Sequence, residues 1–104
     1  MNKADFLAVL DDTAESLRCL TESKGREYAG STDQLANFKR LGETLGMPPE
    51  AVLLVYLTKH LDSINSYVRE LPKPAPSEPI TGRIDDAILY LVLLKALIID
   101  HELH

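Results

Sequence analysis

The sequence predicts an all-α fold of four helices, arranged as a bundle-like single domain. Apolar residues recur at intervals of three and four through most of the chain, and no segment alternates apolar and polar residues as a half-buried strand does. Glycine and proline residues divide this pattern into four segments. A chain of 104 residues has the length of one domain with one small core. We therefore expect residues 1–104 to form a single domain.

The first predicted helix covers residues 5–22. Its apolar residues recur at three and four, and its acidic residues and Arg18 fall on the other side, which is the pattern of a helix with one buried face. Gly25 and residues 30–32 interrupt this pattern, so we expect the helix to end before them. The apolar positions are Phe6, Val9, Leu10, Ala14, Leu17 and Leu20.

The second predicted helix is shorter and ends at about Leu45. Thr32 or Asp33 can accept hydrogen bonds from the free N–H groups at its start. Gly46 stops the helix, because glycine readily adopts the left-handed conformation in which helices commonly end. Its inward positions are Leu35, Phe38, Leu41 and Leu45.

The third and fourth predicted helices are separated by a proline-rich connector. The third starts within residues 48–50, because proline is compatible with the first helical turn and an acid there complements the helix dipole, and it runs to about Glu70. Residues 72–79 contain four prolines and read as a stiff, extended segment. The fourth helix is expected from an N-cap at Thr81 to about Glu102. Its apolar residues extend nearly all round, which indicates a central helix or an oligomer interface.

Composition restricts the classes of partner. A net charge of −5 argues against general nucleic-acid binding, which needs a broad basic face. Cys19 is the only cysteine, so neither a disulfide nor a thiolate zinc site can form within one chain, and we expect a cytoplasmic protein. The longest apolar stretch, residues 87–94, ends at Lys95 and is too short to span a bilayer, so we expect no membrane partner. The small core favours a homodimer or homotetramer.

The polar segment between the first two helices is the clearest sequence indication of a binding site. Residues 24–30 combine cations, glycines and Tyr28, and Asp33 and Asn37 follow. Loops carried on a rigid scaffold often hold binding residues. Lys24, Arg26 and the N–H groups at the start of the second helix can together bind phosphate oxygens. Alternatively, the glycines only turn the chain and Tyr28 covers the core. No GxxxxGK[ST] pattern is present, so we expect no P-loop.

The third and fourth helices each carry a further cluster of three polar residues. If the two helices form an antiparallel hairpin, the groups meet only if their heights along the bundle match, which the sequence leaves open. Arg83 and Asp86 can instead form a surface ion pair. His60 can be a packed core residue and Lys59 a solvated one. The candidates are Lys59, His60 and Asp62 on the third helix and Arg83, Asp86 and Tyr90, which share one face, on the fourth.

Several of these segments resemble small phage and prophage proteins grouped with the nucleotide modification associated domain. More distantly, they resemble the all-α nucleoside triphosphate pyrophosphohydrolases of the MazG type. The resemblance implies a dimeric or tetrameric four-helix protein that binds Mg²⁺ through ExxE and ExxD motifs and cleaves nucleoside triphosphates to monophosphate and pyrophosphate. It covers residues 14–99 and is carried by residues 24–30, Asp33, Asn37, Phe38, residues 57–60 and residues 83–91.

The metal motif implied by this resemblance is incomplete. Asp86 matches the aspartate of ExxD, Arg83 stands where the family has glutamate, and the third helix has no ExxE. Mg²⁺ requires oxygen ligands in a near-octahedral array, which a cationic side chain cannot supply. A metal site implied by the resemblance would therefore use Asp86 with Asp62, Glu78 or Asp33, completed by water and substrate phosphates.

Three functional hypotheses follow. In the first, the protein is an enzyme in which Asp86 holds Mg²⁺ and Lys59 stabilises phosphate charge during attack of water on a nucleotide. In the second, it binds a nucleotide or another phosphorylated small molecule without metal. In the third, it is a helical assembly or regulatory protein whose fourth helix mediates the contacts. The residues expected to contact the ligand are Lys24, Tyr28, Asn37, His60, Arg83 and Tyr90.

Overall fold

The computed structural model describes residues 1–27, 35–72 and 79–103, with the backbone alone for residues 23–27. Over these ranges the fold is all-α with no strand, which confirms the predicted class. The chain divides into two compact units, Met1–Thr32 and Asp33–His104, and the expected single domain stays a prediction. The four helices of the described residues are α1 (Lys3–Glu27), α2 (Ala36–Leu45), α3 (Pro49–Arg69) and α4 (Ile80–Leu103).

Helix α1 forms the first unit and is longer than the predicted helix at both ends. At its start, the Asp5 N–H donates to Asn2 Oδ1 at 2.8 Å and the Asn2 N–H donates to Asp5 Oδ2 at 3.4 Å. This reciprocal pair satisfies N–H groups that the helix leaves free. The expected break at Gly25 is wrong, since α1 continues to Glu27. Glycine inside a helix costs only about 1 kcal/mol, which the surrounding turns can offset.

Helix α2 begins the second unit and ends as predicted. Gly46 has a φ of 67°, in the left-handed region. The N–H groups of Gly46 and Met47 donate to the carbonyls of Glu43 and Gly42, so the last turn keeps its hydrogen bonds. At the other end, Leu35 occupies the N-cap position without a side-chain hydrogen bond. The predicted caps, Thr32 and Asp33, lie outside the described residues.

Proline residues mark the starts of α3 and α4. Helix α3 starts at Pro49, within the predicted residues 48–50, and the N–H groups of Ala51 and Val52 donate to the Pro48 carbonyl. Helix α4 begins at Ile80, directly after Pro79, so the predicted N-cap at Thr81 is wrong. Residues 73–78 of the predicted connector lie outside the described ranges. Where the structure describes the chain, no helix is both long and apolar enough to cross a membrane.

The core of the second unit lies where α2, α3 and α4 meet. Leu53 and Leu97 are completely buried, and each contributes about 1.5–3 kcal/mol by leaving water. Tyr56, Tyr90 and Leu93 are partly buried and pack against the same cluster. The buried apolar residues are Leu35, Phe38, Val52, Leu53, Leu57, Ala87, Leu89 and Leu97.

Two contacts establish the direction and register of α3 against α4. Glu50 Oε1, near the start of α3, lies 3.2 Å from His101 Nδ1, near the end of α4. Further along α3, the ring centroids of His60 and Tyr90 are 4.9 Å apart. Later residues of α3 therefore meet earlier residues of α4, and the two helices are antiparallel. Their heights also match, because both contacts fit one register.

Candidate functional site

An aromatic cluster joins all three helices of the second unit. The rings of Tyr56 and Tyr90 are stacked, with centroids 6.3 Å apart and 24° between their planes. Phe38 meets both rings edge-on at 6.1 and 6.2 Å, and His60 lies against Tyr90. Offset and edge-on ring pairs of this kind are worth about 0.5–1.5 kcal/mol each. The cluster thus holds His60 and Tyr90, two predicted ligand contacts, side by side.

Lys59 places a positive charge at the edge of this cluster. Its Nζ lies 5.7 Å from the centroid of the Tyr56 ring, within the range of a cation–π interaction. The lysine side chain remains exposed, while Tyr56 and His60 are half-buried. A ligand that approaches the cluster from solvent would meet the ammonium group and the aromatic rings together.

Arg83 and Asp86 lie in one row with Tyr90 on α4. They precede Tyr90 by seven and four residues, so the three side chains share the face that α4 turns towards α3. Both residues are half-buried. Because the helices are antiparallel, Arg83 and Asp86 lie beside the part of α3 that follows His60. The carboxylate of Asp86 and the guanidinium group of Arg83 therefore lie along the hairpin, one and two turns from Tyr90.

The predicted residues before and at the start of α2 are described only in part. Asn37 is half-buried next to Phe38, and its Oδ1 accepts a hydrogen bond of 2.8 Å from Arg40 Nη2. Its amide oxygen is therefore engaged within its own helix. The side chain of Lys24 and all of Tyr28 and Asp33 lie outside what the structure describes.

The described residues do not fit a magnesium site. Asp62 is exposed, and it follows Leu53 by nine residues, or two and a half helical turns, which puts it on the opposite side of α3 from the core. It therefore points away from the row that contains Asp86. In residues 1–27, 35–72 and 79–103, no group of three His, Cys, Asp or Glu side chains could hold a metal ion. Asp33, the third predicted ligand, is outside these ranges.

Tyr56 is the site residue that the sequence prediction did not assign. It precedes Lys59 by three residues and His60 by four, a spacing that puts all three on neighbouring positions of the α3 surface. This spacing was visible in the sequence. Its importance depends on Tyr90, which reaches it from another helix.

Comparison of the chain with protein-family models, with curated proteins and with solved structures found no match. The site itself therefore indicates the class of protein. An all-α unit that presents stacked aromatic rings beside exposed and half-buried cations has the chemistry to bind a ligand with a planar ring and an anionic group.

Proposed function

We propose that the second unit binds a nucleotide, as a MazG-like helical module that works without a bound metal. The observation that carries this proposal is the contact between His60 and Tyr90. His60 and Tyr90 are 30 residues apart in the chain, so their contact supports the hypothesis that polar residues of α3 and α4 bind one ligand together. Aromatic faces bind bases through stacking, which is worth about 1–3 kcal/mol per base.

In this proposal the cationic residues bind the phosphate groups of the nucleotide. Lys59 Nζ, beside the Tyr56 ring, pairs with phosphate oxygens from the solvent side. Arg83, two turns from Tyr90 on α4, offers a planar fork that matches phosphate geometry. Lys24 and Tyr28 stay sequence predictions, and the proposed site consists of residues of the second unit alone. The resemblance to phage and prophage proteins supports a place in nucleotide modification in the cytoplasm.

The enzymatic form of the proposal is a Mg²⁺-dependent nucleoside triphosphate pyrophosphohydrolase. It would require Asp86 to hold metal with Asp62, Glu78 or Asp33; Glu78 and Asp33 lie outside the described residues, and the described ones do not supply such a set. Nucleotide binding without hydrolysis is therefore better supported than Mg²⁺-dependent hydrolysis. An assay for released pyrophosphate with and without Mg²⁺, repeated with Asp86→Asn, separates them: magnesium-dependent release that Asp86→Asn abolishes would establish the enzyme.

Binding is tested by thermal unfolding of the full chain with a panel of nucleoside mono-, di- and triphosphates in the presence of a chelator. A ligand at 100 times its Kd stabilises the folded state by about 2.7 kcal/mol, which raises Tm by several degrees. Lys59→Ala and Arg83→Ala should each reduce the shift. Lys95→Ala is the matched control, because Lys95 is exposed on α4 and lies five residues, or about 140°, from Tyr90.

The proposal is contradicted if no nucleotide shifts Tm, or if Lys95→Ala reduces the shift as much as Lys59→Ala does.

A further inference from the structure

Asp86 lies between two residues of the proposed nucleotide site, Arg83 and Tyr90. It follows Arg83 by three residues and precedes Tyr90 by four, so the three side chains form one row on α4. In the part of the chain that the structure describes, the Asp86 carboxylate makes no hydrogen bond or ion pair. A charged group at this position is therefore available to a ligand.

The oxygen atoms of Asp86 can be reached from solvent, although the residue as a whole is half-buried. Among the described residues, no side-chain nitrogen or oxygen is both shielded from water and without a hydrogen-bond partner. Because the Asp86 oxygens have no such partner, they must lie at the protein surface. Residues four apart on a helix have Cβ atoms about 5–6 Å apart, so this carboxylate lies close to the Tyr90 ring.

The negative charge of Asp86 restricts which part of a ligand can lie beside it. A phosphate group at this point would be repelled by the carboxylate, and the repulsion increases where water is partly excluded. A metal ion that would offset the repulsion has no support, because the described residues contain no group of three metal-binding side chains. The carboxylate is an acceptor only, so it favours a neutral part of the ligand that donates hydrogen bonds.

The row on α4 presents three kinds of chemistry in a fixed order. Tyr90 offers an aromatic ring, Asp86 a carboxylate and Arg83 a guanidinium group. Their separations along the helix axis are about 6 Å from Tyr90 to Asp86 and about 4.5 Å from Asp86 to Arg83. A nucleotide has its parts in the matching order of planar base, sugar with hydroxyl groups, and phosphate. When the base stacks at Tyr90 and a phosphate group meets Arg83, the sugar lies beside Asp86.

We propose that Asp86 binds the ribose of the nucleotide and makes the site selective for ribonucleotides, an inference that rests on the proposed nucleotide binding. The carboxylate accepts hydrogen bonds from the 2′- and 3′-hydroxyl groups, as an acidic residue does for the ribose of NAD in dinucleotide-binding folds. A 2′-deoxynucleotide lacks one of these donors. It therefore loses a hydrogen bond to a charged acceptor and binds less tightly.

The amino groups of a base are the other neutral donors in a nucleotide. They lie on the edge of the base that is remote from the sugar. A base with this edge towards Asp86 would direct its sugar and phosphate away from Arg83, and the guanidinium group would have no phosphate to bind. The order of the row therefore favours the ribose as the group that Asp86 contacts.

Asp85 is the matched control for Asp86. The two residues are neighbours on α4 and both are half-buried, but Asp85 is rotated by about 100° from the row. Replacing either aspartate by alanine removes one negative charge near Arg83. A general electrostatic effect on phosphate binding should therefore appear in both variants, whereas a contact with the ribose should be lost in Asp86→Ala alone.

The test is isothermal titration calorimetry of the full chain in the presence of a chelator. Each adenosine, guanosine, cytidine and uridine phosphate is compared with its 2′-deoxy counterpart, so that the two members of a pair differ in one hydroxyl group. We expect the unsubstituted chain to bind the ribonucleotide about tenfold more tightly, the effect of one hydrogen bond to a charged group. Asp86→Ala should abolish this difference, and Asp85→Ala should leave it unchanged.

Asp86→Asn is a second variant, which keeps the size of the side chain but loses its charge, and it should reduce the difference within each pair. Thermal unfolding without ligand shows whether each variant is folded. Equal affinity of the unsubstituted chain for both members of every pair would overturn the proposal. So would a difference that survives both Asp86 substitutions, a difference that Asp85→Ala also abolishes, or an effect of Asp86→Ala on the preference among bases alone.

These outcomes leave the proposed nucleotide binding intact, because each of them requires that a nucleotide binds. If no nucleotide of either series binds the unsubstituted chain, nucleotide binding itself is contradicted, and the role of Asp86 with it. The calorimetric comparison therefore distinguishes failure of ribose selectivity from failure of nucleotide binding.

Discussion

The rings of His60 and Tyr90 meet across the interface of α3 and α4, with their centroids 4.9 Å apart. This contact has two consequences. It fixes the height of one helix against the other, together with the pair of Glu50 and His101. It also places His60 next to Tyr90, the residue that follows Asp86 by one turn on α4. The proposed site depends on this register.

Tyr90 should contribute to stability mainly through its ring contacts. It contacts Phe38, Tyr56 and His60, so Tyr90→Leu should lower the free energy of unfolding by about 1–3 kcal/mol. Tyr90→Phe keeps these contacts and should cost less. Urea denaturation measures both. Equal losses of unfolding free energy for the two variants would show that the Tyr90 hydroxyl, and not its ring, stabilises the fold.

Gly42 should not tolerate even one added methyl group. A Cβ at this position would lie 2.7 Å from the Met47 carbonyl oxygen and 3.2 Å from the Pro49 nitrogen, both of them backbone atoms. We expect Gly42→Ala to destabilise by about 1–3 kcal/mol, more than the gain of about 1 kcal/mol in helix propensity.

The control for Gly42 is Gly82, in the first turn of α4, where a Cβ would meet nothing within 4 Å. Gly82→Ala should stabilise by about 0.5–1 kcal/mol in the same chemical denaturation experiment. If Gly42→Ala were as stabilising as Gly82→Ala, the close approach between the end of α2 and the start of α3 would be refuted.

Two apolar residues near the end of α4 should differ sharply in their effect on stability. Leu97 is completely buried, so Leu97→Ala should cost about 2–5 kcal/mol. Ile99 is 45% exposed, so Ile99→Ala should stay within about 1 kcal/mol of the unsubstituted chain. Thermal unfolding at one protein concentration compares them, and similar losses of Tm would show that the rotation of α4 described above is wrong.

The ion pair between Lys39 and Asp100 should couple α2 to α4 only weakly. Its Nζ and Oδ2 are 2.8 Å apart, but both side chains keep about a third of their surface exposed, at 37% and 30%. A double-mutant cycle with Lys39→Met and Asp100→Asn should give a coupling of about 0.2–1 kcal/mol that decreases at high salt. A larger coupling that is independent of salt would indicate that the pair is shielded from water.

Helix positions were predictable where local backbone chemistry decides them. Gly46 ends α2 as expected and α3 starts within the expected residues 48–50, because a left-handed glycine and a proline in the first turn act within one or two residues. The errors at Gly25 and Thr81 have the same local origin. A single glycine does not stop a helix that its neighbours favour, and α4 starts directly after Pro79 without using the Thr81 hydroxyl as an N-cap.

The sequence indicated which types of residue the candidate site contains, but not which individual residues lie together there. The sequence indicated Lys59, His60 and Tyr90 as candidates, yet it did not assign Tyr56, and it grouped Asp62 with Asp86 although Asp62 lies on the far side of α3. Apolar periodicity shows that a helix has a buried face. It does not show how that face is rotated against a partner helix.

The amino-acid sequence by itself determined the all-α class, most of the helix limits in the second unit and the apolar character of α4, since each of these follows from spacing along a short stretch of chain. The tertiary structure alone decided that His60 meets Tyr90 and that Asp62 lies on the opposite side of α3 from the core. The reason is that the register and rotation of antiparallel helices depend on how residues such as Leu53 and Leu97, far apart in sequence, pack into one core.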